Sequence, residues 1–237
     1  MGTSRPSSRV VEHLPLGRSD YGEVLNTQRE LQVRRSSGTI CDTVLTVEHD
    51  PVFTIGRRGS RANLLVSQEL LDEEGIGIFD VERGGDITYH GPGQFVVYPI
   101  IDLRDYGRDV RAYVDRLEET AIRTLAAFGV VSEREQGRPG VWVDGRKIAS
   151  VGVSVRRWIT CHGLALNVDA DRRHFAMIRP CGLPVQAVSM TELVTGAVCV
   201  EDVAGVFLDQ AAKLFGWTLR CAGREKIERN GDATELD

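Results

Sequence analysis

Lysine is almost missing from this chain: of its 29 basic residues only Lys147, Lys213 and Lys226 are lysines, and the other 26 are arginines. Paired cysteines are missing too. Cys41, Cys161, Cys181, Cys199 and Cys221 are odd in number, lie 120, 20, 18 and 22 residues apart and form no C-x-x-C, so neither a zinc site nor a disulfide framework is expected. No long hydrophobic run exists. The longest, Phe95 to Ile101, has seven residues and contains a proline, far short of the roughly 18 that a spanning helix needs. Met1 to Pro6 offers no apolar leader core, and Pro6 stands where a myristoylation signal takes Ser or Thr, so the expected location is cytoplasmic. There is no basic excess: 29 Lys plus Arg against 34 Asp plus Glu give a net charge of −5, which argues against nucleic acid as a partner. Only local pairs, at Arg57/Arg58, Arg156/Arg157 and Arg172/Arg173, could form basic patches.

What is present is ordinary globular material. The 237 residues, 42% hydrophobic and 27% charged, suffice for one or two domains with a sizeable core. Asp20 to Arg34 reads as a helix with Tyr21, Val24, Leu25, Gln28 and Leu31 on one stripe. Thr43 to Glu48 reads as a strand leading to a turn at His49-Asp50-Pro51. Ser67 to Glu74 is a short helix stopped by Gly75, and Asp80 to Gly85 and Asp86 to Pro99 read as glycine-interrupted strands. The strongest helix spans Asp109 to Phe128, capped by Asp109 and ended by Gly129, with Val110, Tyr113, Val114, Leu117, Ala121, Ile122, Leu125 and Phe128 in phase. A β-meander follows: Gly140 to Val143, an Asp144-Gly145 turn, Lys147 to Val155, and Ile159 to Val168. A capping box at Ser189 to Glu192 and a helix from Glu201 to Phe215, with Val203, Val206, Phe207, Ala211 and Leu214 inward, close the fold. With no repeat and no Pro/Ser-rich linker, the expectation is one α+β domain over residues 15–221. Residues 1–14 read as a flexible N-terminus and 222–237 as a polar, disordered tail.

Three features could carry chemistry. Alternation puts Lys147 in phase with Ala149, Val151, Val153 and Val155, so it is either a lysine snorkelling from an apolar face or a desolvated functional amine. Cys181 sits in Arg179-Pro180-Cys181-Gly182-Leu183-Pro184, which cannot be regular helix or central strand. That makes it the best candidate for a reactive thiol, the alternative being an inert loop cysteine. The stretch Arg83-Gly84-Gly85-Asp86-Ile87-Thr88-Tyr89-His90-Gly91-Pro92-Gly93-Gln94 lets backbone approach a ligand closely, yet fits neither a Walker nor a dinucleotide pattern; bulges in a twisted sheet would explain the same glycines.

Taken together, these segments resemble the octanoyltransferase family, also called lipoate-protein ligase B or lipoyl(octanoyl) transferase, over roughly residues 15–215. The likeness is carried by His49-Asp50-Pro51-Val52-Phe53-Thr54-Ile55-Gly56-Arg57, the Arg83 to Gln94 stretch, Gly140-Val141-Trp142-Val143, Lys147 to Val153, His162 to Asn167, and Pro180-Cys181-Gly182. The resemblance implies the α+β catalytic-domain fold of the lipoate and biotin ligases, a mixed sheet with a β-meander flanked by helices. It implies transfer of an octanoyl group from acyl carrier protein to a lysine of lipoyl domains, those of 2-oxoacid dehydrogenase complexes and the glycine cleavage H protein, with no cofactor, no metal and no membrane. It also implies that Cys181 forms an acyl thioester and that Lys147 lowers its pKa. The positions matched to the acyl pocket are Arg83, Gly84, Gly85, Asp86, Ile87, Thr88, Tyr89 and His90, then Ser150, Val151 and Gly152, then Gly163, Leu164 and Ala165. Two alternatives stand beside it: an ATP-dependent lipoate or biotin ligase, which would need no cysteine, and a non-catalytic acyl-carrier-binding module.

Overall fold

The computed structural model describes residues 9–179 and 186–222. Cys181 and the tail from 223 onward therefore lie outside the described residues. Helix α1 (Tyr21–Ser36) starts where Asp20 accepts a hydrogen bond from the Glu23 amide, and it buries the five residues of the expected stripe, Tyr21, Val24, Leu25, Gln28 and Leu31. Helix α3 (Val110–Ala127) is capped by the Asp109 side chain on the Ala112 amide, and Gly129 takes φ +78 just beyond its end. Val110, at 38% exposure, is the member of the expected stripe left in solvent.

These helices cover the two faces of an eight-stranded sheet. In spatial order it comprises β11 (Trp217–Cys221), β1 (Arg9–Ser19), β2 (Asp42–His49), β6 (Gln94–Ile100), β10 (Ile159–Asn167), β9 (Arg146–Arg156), β8 (Arg138–Val143) and β7 (Glu133–Glu135). The β11/β1 and β1/β2 pairs are parallel and the rest antiparallel, so the sheet is mixed, as expected. Every residue of β6 and β10 is buried, because both faces are covered. One face packs on α3 and on α5 (Val200–Phe215) through Phe95, Val97, Leu164, Leu166 and Ala149. The other packs on α1 through Leu45, Val96 and Ala165. A second sheet of β4 (Gly77–Asp80), β3 (Val52–Ile55) and β5 (Ile87–His90) has its own apolar core around Phe53, Leu71 and Tyr89. Short helices α2 (Gln68–Glu73) and α4 (Arg172–Phe175) complete the elements used below. Among the described residues no helix is long and apolar enough to cross a membrane.

Several expectations need correction. Residues 9–14, expected to be flexible, belong to β1, whose partners β2 and β11 are far away in sequence. Asp80 to Gly85 is not a strand: β4 ends at Asp80 and the following residues bend over the large sheet. The Ser189/Glu192 capping box forms, but on a single 3-10 turn, Met190–Glu192. In α5 the buried set is Val203, Phe207, Leu208, Ala211 and Phe215; Val206 and Leu214 are half-buried.

Candidate active site

On the α1 side of the large sheet lies a cavity of about 520 Å³. Its floor follows from strand pairing. On β10, Gly163 and Ala165 face Gly152 and Ser150 of β9, and Ala165 faces Val96 of β6 on its other side. Its lip is the bend after β4: the Gly84 amide donates to Val153 O at 2.9 Å and seats the loop on β9. Glycine lets this contact close tightly, since a Cβ on Gly152 would lie 3.0 Å from both Arg83 Cδ and Gly84 O and would push the lip outward. Arg83 is buried at 6% exposure and donates to Thr54 O, Thr54 Oγ1 and Gly84 O, which ties the lip to β3. Asp86 holds the next turn by accepting from the Ile87 amide at 2.6 Å and from Asn63 Nδ2 at 2.7 Å.

A buried polar chain crosses one end of the cavity. His90 Nδ1 donates to Gln94 Oε1 at 2.7 Å, Gln94 Nε2 donates to Asn167 Oδ1 at 2.9 Å, and Asn167 Nδ2 donates to Val188 O at 3.1 Å. The Val188 amide in turn donates to Lys147 O at 3.0 Å. Burial pushes the pKa of His90 down to about 3, so the imidazole is neutral at physiological pH. His49 is likewise pushed down by burial, to about 4, with Nε2 2.8 Å from the Tyr98 hydroxyl.

Lys147 lies at the same end. Val141 pairs with Ala149 but Trp142 pairs with Lys147, which leaves Ile148 as the extra residue of a β-bulge. The bulge breaks the expected phase: Ile148 and Ala149 are both buried in the α3 core, whereas Lys147 is half-buried, lines the cavity and stands with Nζ 5.0 Å from the centroid of the Trp142 ring. The Lys147 amide donates to Gln186 O at 2.8 Å, and Lys147 pairs with Ala187 in a parallel bridge. On the other side of the undescribed 180–185 segment, the Arg179 amide donates to Asn63 O at 2.8 Å.

Of the expected site residues, Lys147, Arg83, Gly84, Gly85, Asp86, Ile87, Thr88, His90, Ser150, Val151, Gly152, Gly163, Leu164 and Ala165 all line this one cavity. Tyr89 does not. It alternates to the far side of β5 and packs its ring on Phe53, His174 and Phe175. Tyr21, Val96, Tyr98 and Trp142 also line it and were missed, since in sequence they are indistinguishable from core residues; Asn167, at the end of its strand, lines it too. One group of metal-capable side chains occurs among the described residues, with Glu82, Cys161 and His162 atoms within 4.8 Å of one another. Two of its three donors are already engaged, while His162 Nε2 is buried with no hydrogen-bond partner, 3.9 Å from a Glu82 oxygen. Arg29 binds both Glu82 oxygens, and the Cys161 thiol, pushed up to about 12 by burial, donates to Gln28 Oε1.

Residues 20–212 match the model of the lipoyl protein ligase A/B catalytic domain. A protein from Solibacter usitatus named octanoyltransferase is 46% identical over 204 residues, covering 86% of this chain and 92% of its own. Another of that name, from Caldicellulosiruptor bescii, is 44% identical over 215 residues, covering 90% and 94%. Among solved structures, lipoate-protein ligase A bound with ATP superimposes with a TM-score of 0.70 at 14% identity, covering 94% of this chain and 93% of that one. The bi-partite lipoate protein ligase of Thermoplasma acidophilum, described with its E2 lipoyl domain, gives 0.69 at 14% identity, covering 94% and 91%. At such identity these two structures speak for the fold alone.

Proposed function

The chain belongs to the lipoyl protein ligase A/B catalytic-domain family and, within it, to the octanoyltransferases, which are acyltransferases of protein lipoylation; from that premise we propose that it moves an octanoyl group from acyl carrier protein to a lipoyl-domain lysine through a thioester on Cys181. The observation that carries this reading is the pairing of Lys147 with Gln186 and Ala187 at the mouth of an apolar slot. Cys181 lies five residues before Gln186, which is tied to cavity-lining Lys147, and two after Arg179, which is tied to Asn63, itself bonded to cavity-lining Asp86.

The chemistry follows from charge and proton balance. A free thiol of pKa about 8.5 is only a few per cent thiolate at neutral pH. An ammonium about 4 Å from it offers about 4 kcal/mol at an effective dielectric of 20, enough to make thiolate the main form even after burial takes its share. The Cys181 thiolate attacks the carrier thioester carbonyl, and the carrier thiolate leaves with a proton from Lys147. One thioester replaces another, so no ATP is consumed. The neutral Lys147 then accepts a proton from the incoming lysine amine as it attacks the octanoyl-cysteine, forming the amide and releasing the Cys181 thiolate. The octanoyl tail lies over Ser150, Ala165 and Val96.

Intact mass spectrometry after mixing the protein with octanoyl-loaded carrier tests this. The expected result is one hydroxylamine-labile octanoyl adduct that maps to Cys181 and vanishes in Cys181→Ser. An undiminished thioester in that variant, or product formation from ATP and free octanoate instead, would overturn the assignment.

A further inference from the structure

The bulge that turns Lys147 into the cavity also sets it against one side chain. Trp142, at 1% exposure, is its cross-strand partner, and the ammonium lies 5.0 Å from the indole centroid. The ring is itself held. Its Nε1 donates to Arg138 O at 3.2 Å, and the Arg138 guanidinium stacks 4.0 Å from its centroid while pairing with Glu135. Room for the lysine comes from Gly140, at φ +129, where a Cβ would stand 2.5 Å from Lys147 Cε and equally close to Ala149 O. The Gly140 amide is pinned by Glu118 Oε1 at 2.7 Å, from a carboxylate that also receives Arg134. Of the charged and titratable side chains placed around the ammonium, Arg138 shares its ring, Glu118 stands behind Gly140, and Arg58, Arg83, Asp86, His90 and His162 lie elsewhere around the cavity.

We propose that Trp142 is a positioning residue for the transfer reaction: its indole face is the seat of the Lys147 ammonium, and Gly140 is the gap that lets the side chain reach it. This inference rests on the reading that Lys147 activates Cys181. A ring quadrupole attracts a cation and does so more strongly where water is excluded. The indole therefore favours the charged lysine that the thiolate needs, and confines it to one place. Buried packing alone would not require an aromatic face at this position.

The test is peptide-resolved iodoacetamide alkylation of Cys181 against pH in the full chain. Trp142→Leu is expected to raise the apparent thiol pKa by about one unit, while Trp142→Phe stays near the parent. Lys147→Met gives the full rise, and adding Trp142→Leu to it moves the profile no further. Should Trp142→Leu fail to fold, replacement of all tryptophans by a fluorinated analogue keeps the ring's shape, drains its face of charge and is expected to shift the thiol in the same direction. Parent-like thiol profiles in both Trp142→Leu and the fluorinated protein, with Lys147→Met still shifted, would leave Trp142 as packing only and overturn the inference. A parent-like profile in Lys147→Met would instead overturn the reading beneath it, and the inference with it.

Discussion

Replacing Ala165 by leucine tests whether the cavity is the acyl slot. Ala165 sits at the middle of the floor, between Ser150 on β9 and Val96 on β6, with 3% exposure. The new side chain adds three carbons at the point where the tail must pass. Each methylene kept out of an apolar site forfeits about 0.8 kcal/mol, so three forfeit about 2.4 kcal/mol, or roughly 50-fold in relative kcat/KM. The assay compares octanoyl and butanoyl carrier thioesters with wild type and variant. Octanoyl transfer is expected to fall by about that factor while butanoyl transfer changes little, since a short tail ends before Ala165. Overpacking could itself cost about 1–3 kcal/mol of stability, and a melting curve separates that loss, which affects both donors, from a length-dependent one. Equal losses for both donors in a protein that remains folded would refute the tail path over Ala165.

Lys147→Arg is expected not to restore transfer, because guanidinium keeps the charge but cannot pass a proton; turnover near the parent rate would remove Lys147 as the base. The cationic loop after β3 divides by role: Arg57 is exposed, Arg61 pairs with Asp80 at 2.9 Å, and Arg58 lines the cavity. Arg57→Ser with Arg61→Ser should therefore slow acylation by carrier-bound octanoate through association, with a weaker salt dependence, and spare transfer from a small octanoyl thioester, as paired kinetics with the two donors would show. Stability should depend on pH through His49 and His90, whose burial depresses their pKa values to about 4 and about 3. Both are neutral in the fold and take up protons first when unfolded, so their contribution is complete above pH 6.5 and is lost as pH falls toward 4 and then 3. Urea midpoints across that range should drop less steeply in His49→Gln, and an unchanged slope would mean that His49 titrates alike in both states.

The readable parts of this chain are those whose signals are local. Asp20 and Asp109 announce their helices because a capping carboxylate acts within three residues, and the Asp144-Gly145 turn announces its hairpin for the same reason. β1 gives no such signal. Arg9 to Ser19 alternates poorly and becomes a strand only because β2 and β11 flank it in parallel, pairings that no short window contains. Tyr21, Tyr98 and Trp142 were invisible as cavity residues because an aromatic at core spacing looks the same whether it meets a neighbouring side chain or an open slot. Tyr89 shows the opposite error: it lies inside a stretch matched to the pocket, yet β5 alternates, so one residue in two must face the small sheet's core. Lys147 is the instructive case. Strict period-two counting places it with Ala149, facing α3, where its ammonium would be buried among leucines and valines at a large desolvation cost. The bulge at Ile148 resolves that conflict by sending two consecutive apolar residues to the core and the lysine to the cavity. A lysine at an apparently apolar position of a hairpin strand is thus itself a sign that the register must break nearby. Here the break aims the amine at the slot and leaves its backbone to pair with Gln186 and Ala187.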